Sequence, residues 1–391
     1  MTGIYNRQGI WWRHFVPMLI MALLLIIPYV RHTFSFYGLR WVYMWALSFS
    51  FSFCLTPVFR WIAPRIGAMD IPDDRKRHGE ATPLLGGGAV FLAFLLAILV
   101  NGIFSPELMA MLFGASLVFI IGVIDDIKDM KAAVKLIVQL AAVGCVMFQG
   151  IVLRVLPETL GFAADISNGI LTILWILGIT NAFNFFDGMD GMASGLGLII
   201  AFFLGVVAFQ TNQPFLGWIA VAVVGSCLGF LPYNLLKNER ATIFLGDAGS
   251  TVIGFILACV AVYGEWDLNN SVISAVSPLL IFWVLFFDMV HITIDRIVTG
   301  KVTTFKEWIE YVGRDHLHHR MAQILGSPRR SVLFIYLLTI CFGVSAVVLR
   351  NATARDAVLL LCQAVLMVIM VTVLERIGRR HVETSKKNDC K

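Results

Sequence analysis

The stretch "NAFNFFDGMDG" (181–191) places Asn181, Asn184, Asp187 and Asp190 at every third position, at the end of a long apolar run. Side chains three apart share a helix face, so Asn184, Asp187 and Asp190 form a polar stripe if the helix runs on. Gly188 and Gly191 predict instead that it unwinds, leaving the carboxylates free to turn toward a ligand. The bland alternative is a plain turn, and the D-x-x-D-G fragment is too short for a calcium loop.

Four other segments carry chemistry of the same kind. In "GVIDDIKDMKAAVKLIVQ" (122–139), adjacent Asp125 and Asp126 end one apolar run and Lys135 lies near the start of the next. Neighbouring carboxylates repel and need a cation, for which Mg²⁺ with phosphate oxygens is the common solution. A helix-end cap with solvated charges competes, although acids are disfavoured at a negative helix C-terminus. In "PYNLLKNERATIFLGDAGST" (232–251), Asp247 sits in a glycine turn before a helix led by Ser250 and Thr251. That pattern suits a helix N-cap, a metal ligand, or both.

In "DIPDDRKRHGEATPLLGGG" (70–88), the basic cluster Arg75, Lys76, Arg77 and His78 precedes Gly86, Gly87 and Gly88. It reads as a topological anchor or as a phosphate-capture loop, with the glycines supplying exposed N–H groups or close helix packing. "GRDHLHHR" (313–320) brings His316, His318 and His319 between Arg314 and Arg320. Histidines three apart suit zinc; flanking arginines suit an oxyanion or pyrophosphate better, and a solvated amphipathic loop is the bland reading. Upstream, Asp288 lies inside an apolar span, where a carboxylate needs a partner. His291 and Arg296 are the candidates.

The elements that must position these groups follow from composition. The 391 residues are 59% hydrophobic and only 14% charged, with mean hydropathy +0.83. A soluble chain carries about a quarter charged residues, and a transmembrane barrel shows alternating polarity. Apolar runs of spanning length recur instead, predicting an all-α polytopic membrane protein of about 11–12 helices. They fall near 14–30, 41–59, 86–104, 108–124, 134–153, 169–186, 193–210, 216–234, 249–264, 273–294, 332–349 and 356–375. With both termini inside, about 25 of the 30 Lys and Arg residues lie on the cytoplasmic side, as the positive-inside rule requires. All five polar segments then share that face. The net charge of +5 is a topology signal, with no indication of nucleic-acid binding.

The organisation expected is one integral membrane domain over 1–391, with an additional N-terminal helix near 14–30 and a cytoplasmic tail near 377–391. The first apolar run lacks a small-residue cleavage site and reads as a retained helix. Six of the seven cysteines lie in apolar runs without metal spacing and read as core residues. Nothing in the sequence bears against a homodimer.

Together these motifs resemble the polyprenyl-phosphate N-acetylhexosamine-1-phosphate transferases, over about residues 55–350 and in the same order. "RKRHGEATPLLGG", "DDIKD…KLIVQ", "NAFNFFDGMDG", "FLGDAGST" and "RDHLHH" carry the resemblance. It is strongest to the bacterial branch that uses UDP-GlcNAc and undecaprenyl phosphate to begin O-antigen, lipopolysaccharide or related cell-wall polymers. It implies a multi-pass inner-membrane enzyme with a cytoplasmic site that moves a sugar-1-phosphate from a UDP-sugar to a lipid phosphate and releases UMP. It further implies Mg²⁺ (or Mn²⁺) on Asp247, with Asp187 as a second ligand. Asp125 would orient or deprotonate the lipid phosphate, supported by Asp126. Asn184, Asp187 and Asp190 would hold the nucleotide end and metal shell, and Asn234 the uracil side. Lys135 and His316, His318 and His319 would bind the diphosphate, with Arg75, Lys76, Arg77, His78, Arg314 and Arg320 as further substrate contacts.

Two departures bear on the sugar. Ala133 stands where many relatives carry a second basic residue, and "KEWIEYV" (306–312) lengthens the approach to the histidines. Transfer from another UDP-N-acetylhexosamine, or transfer of phospho-muramoyl-pentapeptide from its UDP form, is therefore the alternative with the same chemistry. A transporter of anionic solutes, the rival from another class, would place its polar residues near the bilayer midplane. The CDP-alcohol phosphotransferases require an arginine that "DGMASG" lacks.

Overall fold

The computed structural model describes residues 2–71, 81–235, 240–266, 271–304, 307–308, 311, 313, 315–350 and 352–389. Arg75, Lys76, Arg77, His78 and Arg314 lie outside the described residues. Among those described there are fifteen α-helices: α1 (Thr2–Ile26), α2 (Pro28–Phe36), α3 (Arg40–Ile66), α4 (Gly86–Asn101), α5 (Pro106–Ile127), α6 (Ala132–Phe148), α7 (Phe162–Phe186), α8 (Met192–Gln210), α9 (Pro214–Asn234), α10 (Gly246–Tyr263), α11 (Ser271–Ile281), α12 (Trp283–Val298), α13 (Leu317–Leu325), α14 (Pro328–Leu349) and α15 (Ala354–Asp389). Eight of them are long and apolar enough to cross a membrane, two pairs form bent spans, and α4 and α6 are shorter apolar helices. Each apolar run of the sequence falls on one of these. On α3 the exposed Trp41 and Trp61 stand about 30 Å apart at the rise of an α-helix, the thickness of a hydrocarbon core flanked by aromatic anchors.

Two of the runs are not straight. His14–Ile26 and Pro28–Phe36 meet at 77°, as do Val272–Ile281 and Trp283–Val298. At the first break Ile27 is extended (φ −61°, ψ 124°) because the ring of Pro28 disfavours a helical residue before it. Pro278 lies inside α11, four residues ahead of the second break, where it removes one rung of the helical ladder.

The chain forms two compact units, Met1–Gly264 and Glu265–Lys391. In the first, α10 is buried from Ala248 to Val262 and packs on α4, α5, α7, α8 and α9. Lipid gives apolar helices no hydrophobic reason to associate, so close packing through small residues must do it. Glycines supply that approach. A Cβ at Gly87 would overlap the backbone of Gly249, one at Gly122 the backbone of Ala248, and one at Gly254 would press on Phe183 and Thr180 at 3.0 Å. The second unit packs α11 on α14 and α15, with α13 against the same two helices.

A two-residue antiparallel ladder, β1 (Met69–Asp70) with β2 (Thr82–Pro83), joins the exit of α3 to the entry of α4. There the glycine triplet takes its packing role. The Gly86 and Gly87 N–H groups donate to the Phe244 and Leu245 carbonyls at 2.9 and 2.7 Å, so they are not turned toward an anion. This corrects the phosphate-capture reading of these glycines: the segment before α10 accepts their hydrogen bonds.

Substituting Gly249→Ala should drive a methyl group into α4 at Gly87 and lower stability by about 1–3 kcal/mol. Thermal unfolding of the detergent-solubilised chain would show it, and an unchanged midpoint would count against this packing.

Candidate active site

The centre of the first unit's polar cluster is the start of α10. The first N–H groups of a helix have no partner within it, and a buried helix has no water to supply one. Asp126, at the end of α5, accepts from the Asp247 and Ala248 N–H groups at 2.8 and 3.1 Å. An acid at the negative end of its own helix is thereby stabilised by the positive end of another. Gly246 makes the turn with φ +76°, and a side chain there would meet the Leu84 carbonyl and the Asp126 carboxylate. Cap and charged site are one device here.

Asp125, one residue earlier, accepts from the Met130 N–H at 2.8 Å and from Lys135 Nζ at 2.5 Å. The same Lys135 ammonium donates to Asp247 at 3.1 Å. Two acids far apart in sequence, Asp125 and Asp247, thus share one cation, with Asp247 one-third exposed and Asp125 more enclosed. Asn184, in the last turn of α7, donates to Ser250 Oγ on α10 at 3.2 Å.

The helix does stop where the glycines predict. α7 ends at Phe186, Asp187 caps it, and Gly191 opens α8 with φ +77°. Burial, then the negative charges of Asp247, Asp126 and Asp190, push the Asp187 carboxyl well above the usual carboxylate range. The stripe divides at this turn: Asp190 accepts from the Ala241 N–H at 3.0 Å instead. Asn234 is buried with its amide engaged by backbone on both ends, accepting from Gly191 N–H at 2.7 Å and donating to the Ile243 carbonyl at 3.0 Å. It braces the loops around the site.

The histidine motif belongs to the second unit. Asp288, fully buried in α12, accepts from His316 Nδ1 at 2.8 Å and from the Leu317 N–H at 2.7 Å. Its partners are therefore His316 and, at 3.6 Å, Arg320. That corrects the expectation of His291 or Arg296. Arg296 is taken by a two-pronged pair with Asp315 at 2.8 Å and stacks over the Tyr311 ring, while His291 receives Arg320 Nη1 at 2.9 Å. Arg320 is 4% exposed and also pairs with Glu375 of α15 at 3.2 Å, so it positions the motif from inside. Glu375 lies near the end of the last apolar run and was overlooked in the sequence; its charge beside a long apolar stretch was the available signal. Burial and the neighbouring His319, His316 and Arg320 hold the His318 imidazole well below its usual pKa, which keeps it neutral. His319 is partly exposed.

Comparison with known proteins bears on this arrangement. Residues 108–265 match the family described as Glycosyl transferase family 4. The chain is 34% identical over 303 residues to a probable undecaprenyl-phosphate N-acetylglucosaminyl 1-phosphate transferase of Bacillus subtilis (strain 168), covering 76% of this chain and 82% of that one. The chain belongs to the polyprenyl-phosphate N-acetylhexosamine-1-phosphate transferases. A decaprenyl-phosphate N-acetylglucosaminephosphotransferase of Mycobacterium leprae (strain TN) is 33% identical over 353 residues, 82% of this chain and 86% of its own. An undecaprenyl-phosphate alpha-N-acetylglucosaminyl 1-phosphate transferase of Yersinia pestis is 29% identical over 318 residues, 80% and 84% respectively. In this transferase the matched segment contains Asp125, Asp126, Lys135, Asp187 and Asp247, the groups the first unit gathers at the start of α10.

Two substitutions separate aiming from holding. Asp126→Ala removes the acceptor at the start of α10 and should cost about 1–2 kcal/mol of stability, with lower turnover because Asp247 loses its anchor. Asp288→Ala leaves Arg320 buried beside a lost carboxylate and should cost about 3–5 kcal/mol. Melting curves of the two variants in one detergent would check the order.

Proposed function

We propose that this transferase moves GlcNAc-1-phosphate from UDP-GlcNAc to undecaprenyl phosphate, releases UMP, and so begins a cell-surface polysaccharide. The observation that carries the reading is the Lys135 ammonium held between Asp125 and Asp247 beside Asp187, in a chain whose relatives bear the names given above. The cytoplasmic side of the bacterial inner membrane is the proposed place, from the excess of Lys and Arg in the connections on that face.

The donor set suits Mg²⁺. Asp125, Asp126, Asp187 and Asp247 are hard oxygen ligands; burial and then their mutual repulsion raise the Asp187 carboxyl, and a divalent cation would relieve a crowding that one lysine does not. As the side chains stand, no three His, Cys, Asp or Glu groups among the described residues converge at metal distance. Asp247 with Asp187 would hold the ion, which when bound supplies charge neutralisation on the diphosphate and a better UMP leaving group.

The transfer exchanges one phosphoanhydride for another. A lipid phosphate oxygen attacks the β-phosphorus of the UDP-sugar, the bond from that phosphorus to the bridging oxygen breaks, and UMP departs with it. Such a step is catalysed mainly by alignment and charge neutralisation. Lys135 meets the diphosphate oxygens once substrate competes for its hydrogen bonds. Asp125, tied to Lys135 and to the Met130 N–H, aligns the lipid phosphate, which is already anionic near neutral pH. Its two engaged oxygens favour direct attack by the lipid over a covalent aspartyl intermediate.

The test is UMP release by purified protein from UDP-GlcNAc with polyprenyl phosphate, with and without Mg²⁺, beside Asp247→Asn. The reading expects metal- and lipid-dependent release, lowered at least about 100-fold by the substitution. Release from another UDP-sugar alone would move the donor. No turnover with any UDP-sugar, in protein shown to be folded, would sink the transferase assignment for this substrate pair.

A further inference from the structure

Below the charged cluster, α6 and α7 are joined by a polar contact that no step above uses. Asn181 Nδ2 donates to Gln139 Oε1 at 2.8 Å, and Gln139 Nε2 returns a longer bond to Asn181 Oδ1 at 3.4 Å. Asn181 Nδ2 also reaches the Leu177 carbonyl at 2.8 Å. Gln139 is 2% exposed, whereas Ile137 and Leu140 on either side of it stand 65% and 40% exposed. One face of α6 is therefore open to lipid, and the other carries a carboxamide inward.

The placement of the pair is specific. Gln139 follows Lys135 by one helical turn on the same face of α6, and Asn181 precedes Asn184 by one turn of α7. Those upper neighbours are the two residues that reach across to α10: Lys135 to Asp247 and Asn184 to Ser250. The amides lie about 6 Å and about 4.5 Å below them along the two helices. Apolar side chains of similar volume would join α6 to α7 in any of several rotations. The buried Gln139 amide finds its side-chain partner only when it faces Asn181, which selects one rotation.

We propose that the Gln139–Asn181 amide pair is a positioning element of the transfer reaction: it fixes the rotation of α6 against α7 and so aims the Lys135 ammonium between Asp125 and Asp247. This deepens the proposed reading and rests on it. Neither residue touches substrate; both act through Lys135 and Asn184. The pair takes this form because a lysine on a half-exposed helix would otherwise swing by rotation about the helix axis. A reciprocal amide bond stops that rotation without adding a charge to the apolar layer.

The experiment is a cycle on full-length protein in detergent micelles with UDP-GlcNAc and polyprenyl phosphate, reading kcat/KM from UMP release. Wild-type turnover tests the underlying reading by itself; its absence with any UDP-sugar rejects that reading before a variant is made. With an active wild type, Gln139→Leu is expected to lower kcat/KM by about 10- to 100-fold. In a Lys135→Met background the same Gln139→Leu change is expected to cost less than about 3-fold, since the group it aims is already gone. An equal loss in both backgrounds would show an independent structural effect and overturn the proposal. A second arm avoids the apolar substitution. Gln139→Asn combined with Asn181→Gln restores a reciprocal amide pair and is expected to regain most of the activity that Gln139→Asn alone removes. A double variant no better than that single one would also overturn it.

Discussion

The contact on which the candidate site depends is the Asp126 carboxylate against the first N–H groups of α10. A helix that begins in a buried place must find acceptors for those groups, and here the acceptor is an acid from another helix. The consequence is geometric. Asp247 is the second residue of α10, so whatever holds the start of α10 also sets where its carboxylate stands. The glycines serve the same end. Gly87 against Gly249 and Gly122 against Ala248 let α4 and α5 come close enough for the Asp126 oxygens to reach 2.8 and 3.1 Å from nitrogen.

Charge follows from that geometry. Four aspartates, from the end of α5, the turn after α7 and the start of α10, stand around one lysine. A cluster so unbalanced has no merit as a stabilising feature, because each carboxylate raises the cost of ionising the next. It has merit as a receptor for cations and for the phosphates that travel with them. Lys135 between Asp125 and Asp247 is the minimal internal counter-ion, enough to hold the two acids in place without neutralising the group. A reaction that trades one anhydride for another needs that balance more than it needs a strong base.

The spans, the polar motifs and the unwinding after Phe186 were legible because each is a local property of the chain. Hydropathy over twenty residues finds a helix, and a glycine after a polar stripe marks its end. What was not legible is partnership. Asp288 was assigned to His291 or Arg296 because they are near in sequence and on its own helix. The structure pairs it with His316, 28 residues away and at the start of a different helix. Gly86 and Gly87 offered the same ambiguity, and the deciding carbonyls of Phe244 and Leu245 lie in a segment more than 150 residues later. Asn234 braces two loops through Gly191 and Ile243, partners that no local pattern names. Residue type announces that a polar group has work to do; only packing says with whom.

The histidine motif in the second unit shows how far this principle extends. α13 has nine residues, too few for a helix to be stable in isolation. It is held by contacts from outside itself: Asp288 accepts the Leu317 N–H at its start, Ser331 of α14 donates to the His318 carbonyl at 2.6 Å, and Glu375 of α15 pairs with Arg320. Each of these groups comes from a different helix, and each is buried. Replacing such buried charges by well-packed apolar residues is often neutral or stabilising in other folds, so stability alone is a weak reason for their presence. Their common effect is to fix the backbone and ring orientation of the segment from His316 to Arg320, with Asp288 dictating which nitrogen of His316 points inward. The cost of burying acids in an apolar unit is thus exchanged for precision in where the histidines stand, the same exchange that Asp126 makes at the start of α10.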